Sequence, residues 1–180
     1  MSSFIGGKAM RKVEVTEYHP NWPVLFEEEA EKIQEILKDE LVAIHHIGST
    51  SVAGLKAKPI IDLMPIVRDI DRIEAYHELL QQIGFEPRGE KGIPGRRFFQ
   101  KGGHLRTHHV HMYAVGNPEI ERHLAFRDYL RTHPDEGKVY GELKAKLAKK
   151  YPYDIDSYIN GKDELVKKIE RKALAWYRNV

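Results

Sequence analysis

The chain has 180 residues, 41% of them hydrophobic and 31% charged, with a net charge of +2. That balance belongs to a globular protein with a real core, and the length suits one domain, or one domain with a helical appendage. The absence of cysteine excludes disulfides and thiolate chemistry, the mild charge offers no basic stripe for nucleic acid, and no apolar run approaches the roughly 18 residues of a membrane span.

Residues 1–12, MSSFIGGKAMRK, are polar and glycine-containing and are expected to fray. They lack the apolar region of a signal peptide, which points to a cytoplasmic protein. Asn21 is placed to cap a helix beginning near Pro23, with Phe26, Ala30, Ile33 and Leu37 at helical spacing. LVAIHHI at 41–47 reads as a strand ending at Gly48, followed by a short helix over Thr50 to Leu55. PIIDLMPIV at 59–67 reads as a buried strand. Asp69 or Asp71 caps a helix carrying Ile73, Tyr76, Leu80 and Ile83, which Gly84 ends. Short strands and Gly-rich turns follow through GIPG, RRFFQK and GGH. THHVHMYAV at 107–115 is the clearest alternating strand, with Val110, Met112 and Ala114 on one side and Thr107, His109, His111 and Tyr113 on the other. Asn117-Pro118-Glu119 opens a helix, and the remaining chain is helical, with stripes at Val139, Tyr140, Leu143, Leu147 and at Leu165, Val166, Ile169, Ala173, Trp176, Tyr177. Strand pairs joined by tight turns point to an α+β fold with a mixed sheet flanked by helices. The expected division is a core over 13–116 and a C-terminal helical region over 117–180, packed as one compact unit.

Three features carry chemistry. The first is the turn Gly48-Ser49-Thr50 after a strand. Either Ser49 caps the following helical turn, or the backbone N–H groups and hydroxyls seat a phosphate. It is not a Walker loop, because the glycine-lysine-serine ending is missing. The second is Asp62, alone inside an apolar strand, where a carboxylate needs a metal, a hydrogen-bond donor or a cation such as Lys58 or Arg97. The third is the pair His109 and His111, projecting side by side at about 7 Å repeat. That spacing suits two ligands of one ion, or one ligand and one acid–base group. Gly103 followed by His109-x-His111 also fits the start of a cupin motif. The glutamate that motif needs next is absent, and the helical last third does not suit it. Among the basic residues, Lys58 and Arg97 are the candidate phosphate contacts.

HIGSTSVAGLKAKPIIDL, GIPGRRFFQKGG, RTHHVHMYAVG and ERHLAFRDYLRTHP together resemble the GrpB family, and YHPNWPVLFEEEA and LAKKYPYDIDSY fit it as well. The resemblance spans about residues 15–178, with Ala53 where the family usually has proline. It implies a nucleotidyltransferase-like fold, with Gly48-Ser49 as the nucleotide-phosphate turn and Asp62 as the first metal carboxylate. Position 64 should then hold a second acid, but it is Met64. Similar domains also occur fused to dephospho-coenzyme A kinases. The resemblance implies a nucleotide or phosphorylated metabolite as partner and a divalent ion (Mg²⁺, Mn²⁺ or Zn²⁺) on Asp62 with His109 and His111, and possible nucleotidyl transfer. The alternatives are a non-catalytic ligand-binding module on the same fold, which Met64 favours, and a metal-dependent hydrolase built on the histidine pair.

Overall fold

The computed structural model describes residues 11–180; most of the segment expected to fray therefore lies outside the described residues. Five strands form one mixed sheet: β1 (Leu41–Ile47), β2 (Ile61–Val67), β3 (Glu86–Pro87), β4 (Arg97–Lys101) and β5 (His108–Ala114). Their order is β1-β2-β5-β4-β3. Only β2 and β5 run parallel; the other neighbours are antiparallel.

The period-2 pleat sends alternate residues of each strand to opposite layers. Ile61, Leu63, Val67, Val110, Met112 and Phe99 face α1 (Trp22–Leu37) and α2 (His77–Gln82), forming the larger core with Trp22, Phe26, Ile33 and Leu37. Ile33 and Leu37 are almost completely buried, each contributing about 1.5–3 kcal/mol by removal from water. Asn21 precedes α1 without a side-chain cap; Pro23 in the first turn leaves fewer N–H groups to satisfy, and the Asn21 N–H instead donates to His19. Before α2 lies a 3₁₀ segment, Ile70–Tyr76, capped by Asp69, whose carboxylate accepts from the Asp71 N–H. The helix expected over Thr50–Leu55 is a single 3₁₀ turn, Ser49–Ser51, because the chain becomes extended at Val52.

The opposite face of the sheet carries Ile47, Met64 and Tyr113 under Ile120 and Leu124 of α3 (Pro118–Thr132). Asn117 caps α3, accepting from the Glu119 N–H. Helices α3, α4 (Pro134–Lys150) and α5 (Ile155–Arg178) close around Val52 and Leu55, so the loop after β1 is built into their shared core. No helix among the described residues is long and apolar enough to cross a membrane.

Candidate metal and phosphate site

Register brings the sequence candidates together. Asp62 on β2 pairs with Ile47 on one side and with His109 on β5 on the other, placing the carboxylate at the end of β1 and beside both histidines. Its Oδ1 lies 2.9 Å from His111 Nε2 and 3.6 Å from His109 Nδ1. One ligand atom from each of the three residues can be chosen so that all lie within 4.8 Å of one another. Burial acts to raise the Asp62 carboxyl, but hydrogen bonding and the charges of His109 and His111 overcome it and hold the group well below the usual carboxylate range. Burial lowers His109, with Asp62 opposing. The buried His109 Nε2 has no hydrogen-bond partner among the described residues. Neither Lys58 nor Arg97 is the partner of Asp62.

Gly48 is required where it stands. Its φ of 72° and ψ of −177° lie in backbone space that only glycine visits freely. A Cβ there would run into the Asp62 carboxylate, with Asp62 Cγ at 3.1 Å. The turn beyond it is braced from within: Thr50 is buried, and its hydroxyl meets His46 Nε2 at 3.0 Å and the Ile60 carbonyl at 3.4 Å. The Thr50 side chain is therefore committed to the turn and does not serve as the free phosphate donor expected of it. His46 stacks on Phe26, its ring centroid 4.8 Å away, and burial pushes its imidazole down to about 4.

Asp62, His109 and the Gly48–Thr50 turn line a cavity of about 290 Å³, together with Lys58 from the loop before β2. That loop is held by a two-residue bridge between Thr16 and Ala57. Helices α3, α4 and α5 supply the far wall through Arg122, His123, Lys144 and Lys162. Lys144 is 3% exposed and donates to Ser49 Oγ at 2.7 Å. Burial, then the charges of Lys162 and Lys58, push its amine down to about 6. Lys58 is pushed down to about 8, again chiefly by burial. Arg122 is neutralised by Glu119 and Glu170. His123 is driven down to about 3 by burial and by the Arg122 and His111 charges.

Arg97 corrects an expectation. It pairs with Met112 in register and points to the α2 side of the sheet, where its Nε is 2.6 Å from Glu74 and its Nη2 3.5 Å from Asp71. The neighbouring Arg96 occupies the histidine side instead: it is buried, with its guanidinium 3.4 Å from His111 Nδ1 and over the Phe98 ring. Arg122, His123, Lys144 and Lys162 are cavity-wall residues that sequence reasoning missed. For Lys144 a signal existed. Tyr140, Lys144 and Leu147 fall at helical spacing, so the lysine lies on the buried stripe of its helix.

A family model described as "GrpB protein" matches residues 12–172. The chain is 52% identical over 166 residues to UPF0157 protein YqkA of Bacillus subtilis, covering 92% of this chain and 48% of YqkA; it thus spans about half the length of that relative. A crystal structure of conserved protein GrpB from Enterococcus faecalis is similar at TM-score 0.89 and 49% identity, over 91% of this chain and 99% of that one. A structure of the Cid1 poly(U) polymerase overlays at TM-score 0.48 and 12% identity, over 75% of this chain and 43% of that one, a likeness that carries no functional weight. With the family model matching nearly the whole chain, this protein belongs to the GrpB family.

Proposed function

We propose that this chain binds a nucleotide or another phosphorylated small molecule beside one divalent metal ion held by Asp62, His109 and His111. The observation that supports it is the convergence of one carboxylate and two imidazoles, with ligand atoms within 4.8 Å of one another, at a cavity that Asp62 and His109 line together with a Gly-Ser turn and three lysines. The donor set fits an ion: a partly buried, ionised carboxylate, a buried imidazole nitrogen on His109 without a partner among the described residues, and an aromatic flank from Phe98 against both rings. Two imidazoles and one carboxylate suit zinc or iron better than magnesium, which prefers all-oxygen surroundings. When bound, such an ion supplies Lewis acidity toward a phosphate oxygen or a water molecule. The chain's own residues do the rest. Gly48 brings the turn against Asp62, Ser49 offers its hydroxyl and backbone N–H to a phosphate oxygen, and Lys58 supplies positive charge.

Nucleotidyl transfer of the two-ion kind needs a second carboxylate, and Met64 stands at the strand position where the resemblance asks for it. The histidine pair favours a second reading, a single-ion metal-dependent hydrolase of phosphate esters. Thermal melting with Mg²⁺, Mn²⁺ or Zn²⁺, each with and without nucleoside triphosphates, tests the metal site. The expected result is a rise in melting temperature with Zn²⁺ or Mn²⁺ that Asp62→Asn abolishes. An unchanged rise in the Asp62→Asn protein overturns the assignment. Turnover of a phosphate ester by the metal-loaded protein, lost in the same variant, separates a hydrolase from a binding module.

A further inference from the structure

Three lysines meet in the cavity from three different elements: Lys58 from the loop before β2, Lys144 from α4 and Lys162 from α5. None of the three makes an ion pair among the described residues. Their contacts are a hydroxyl and aromatic rings: Lys144 with Ser49 Oγ and the Tyr140 ring at 4.4 Å, and Lys58 and Lys162 with the Tyr158 ring at 5.3 and 5.7 Å. Ammonium groups gathered without counter-ions oppose one another in a poorly solvated site, so Lys144 stays neutral beside Lys58 and Lys162, and all three are charged together only when an anion enters. The nearby acids do not fill that role. Asp62 is engaged by the histidines and Glu170 by Arg122. A single phosphate group at neutral pH carries at most two negative charges, fewer than three lysines. With Lys144 charged in the bound state, three ammonium groups suit a ligand with two or more linked phosphate groups.

We propose that Lys144, Lys58 and Lys162 bind the polyphosphate tail of the ligand, and that Lys144 is a proton-uptake residue that becomes charged as the tail arrives. The C-terminal helices then form one wall of the binding site, contributing two of its three cationic contacts. The Lys144–Ser49 contact links the lysine cluster to the Gly48–Ser49 turn, so the same phosphate group is reached by both. The groups facing Lys144 from each packed element are Lys58, Asp62 on β2, Tyr140 on its own helix, and Tyr158 and Lys162 on α5. The two other lysines oppose its charge, and Asp62, the weakest influence, favours it. An entering polyanion reverses that balance, and the amine takes one proton from solvent: R–NH₂ + H⁺ → R–NH₃⁺, with no other bond formed or broken.

The inference rests on the phosphate half of the function proposed above and not on its metal half, so the two fail separately. The experiment is titration calorimetry of the full chain with inorganic tripolyphosphate, metal-free, at pH 7.5, in two buffers of different ionisation enthalpy. Wild type is expected to bind and to take up about one proton more than Lys144→Met. Affinity is expected to fall on the order of 10- to 100-fold in that variant. Orthophosphate is expected to bind more weakly than tripolyphosphate. Lys162→Gln, at a less buried position, is expected to weaken binding and retain proton uptake, which keeps the test valid if Lys144→Met folds poorly. Tripolyphosphate that does not bind, or that binds Lys144→Met and Lys162→Gln with wild-type affinity, overturns the proposal even if Zn²⁺ binding stands. Binding with equal proton uptake in wild type and Lys144→Met overturns the role of Lys144.

Discussion

Replacing Gly48 with alanine perturbs the site at a single methyl group. Two costs arise from the structure. The backbone at φ 72° and ψ −177° is closed to residues with a Cβ, and forcing an alanine to occupy it costs about 1–3 kcal/mol. The added Cβ also occupies the space of the Asp62 carboxylate, which β2 pairing holds from one side and the histidines from the other. Relief requires Asp62 to swing away from His111, which sacrifices a charge-assisted contact of about 1.5–3 kcal/mol. The sum is about 2.5–6 kcal/mol, or a fall in melting temperature of about 5–24 °C for a chain of this length. Gly54 provides the control. It too has a positive φ, 83°, but nothing lies within 4 Å of a Cβ built there. Gly54→Ala therefore carries backbone strain without the collision. Calorimetry of both variants, with and without Zn²⁺, separates the contributions. Gly48→Ala should melt below Gly54→Ala and lose the Zn²⁺-induced rise, whereas Gly54→Ala should retain it. Equal melting temperatures and equal Zn²⁺ responses would refute the placement of Gly48 against Asp62.

Three more outcomes are expected. His46 has a folded value of about 4 against an ordinary 6.5, so the unfolded state binds the proton first and stability is lost as pH falls from 6.5 toward 4. Urea denaturation of His46→Phe, which keeps the stack on Phe26, should show a shallower loss across that window, by up to about 3 kcal/mol. Arg97→Ala should change stability by less than about 1 kcal/mol, since Glu74 and Asp71 are well exposed, and should leave tripolyphosphate affinity in calorimetry unchanged. Met64→Asp should lower stability by more than about 3 kcal/mol in chemical denaturation without raising Zn²⁺ affinity, because it buries a charge among apolar side chains.

Much of this site was legible because period-2 alternation fixes which side chains share a face. On β5 it separated His109 and His111 from Val110 and Met112, and the pleat has done so. Asp62 stood out because a carboxylate in PIIDLMPIV has few ways to be stabilised. The crossover that lays β5 parallel to β2 left no trace in either segment, since it depends on the whole layer arrangement. The two arginines of GRRFF show the limit of local pattern. Phe98 and Phe99 are both buried, one on each face, so apolarity could not say which arginine turned toward the histidines. The pairing of Phe98 with His111 decides it, sending Arg97 away and leaving Arg96 beside them. Lys144 sits among many lysines on its helix, although its spacing from Tyr140 and Leu147 marks a buried position.

Met64 joins these observations into one constraint on chemistry. It lies two residues along β2 from Asp62 on the same face of the sheet, but not in the same environment. It is fully buried with Ile47 and Tyr113, beneath Ile120 and Leu124 of α3. The apolar packing of α3 on the sheet therefore occupies the position where the family resemblance implies a second metal carboxylate. An acid there would have neither solvent nor a cationic partner in that cluster. In the proposed reading, the positive charge that a second ion would bring to a polyphosphate would come from Lys58, Lys144 and Lys162, which line the cavity from the loop before β2, α4 and α5. A buried Met64 beside Asp62 and three lysines across the cavity fit the proposal of a single ion acting with a cationic wall.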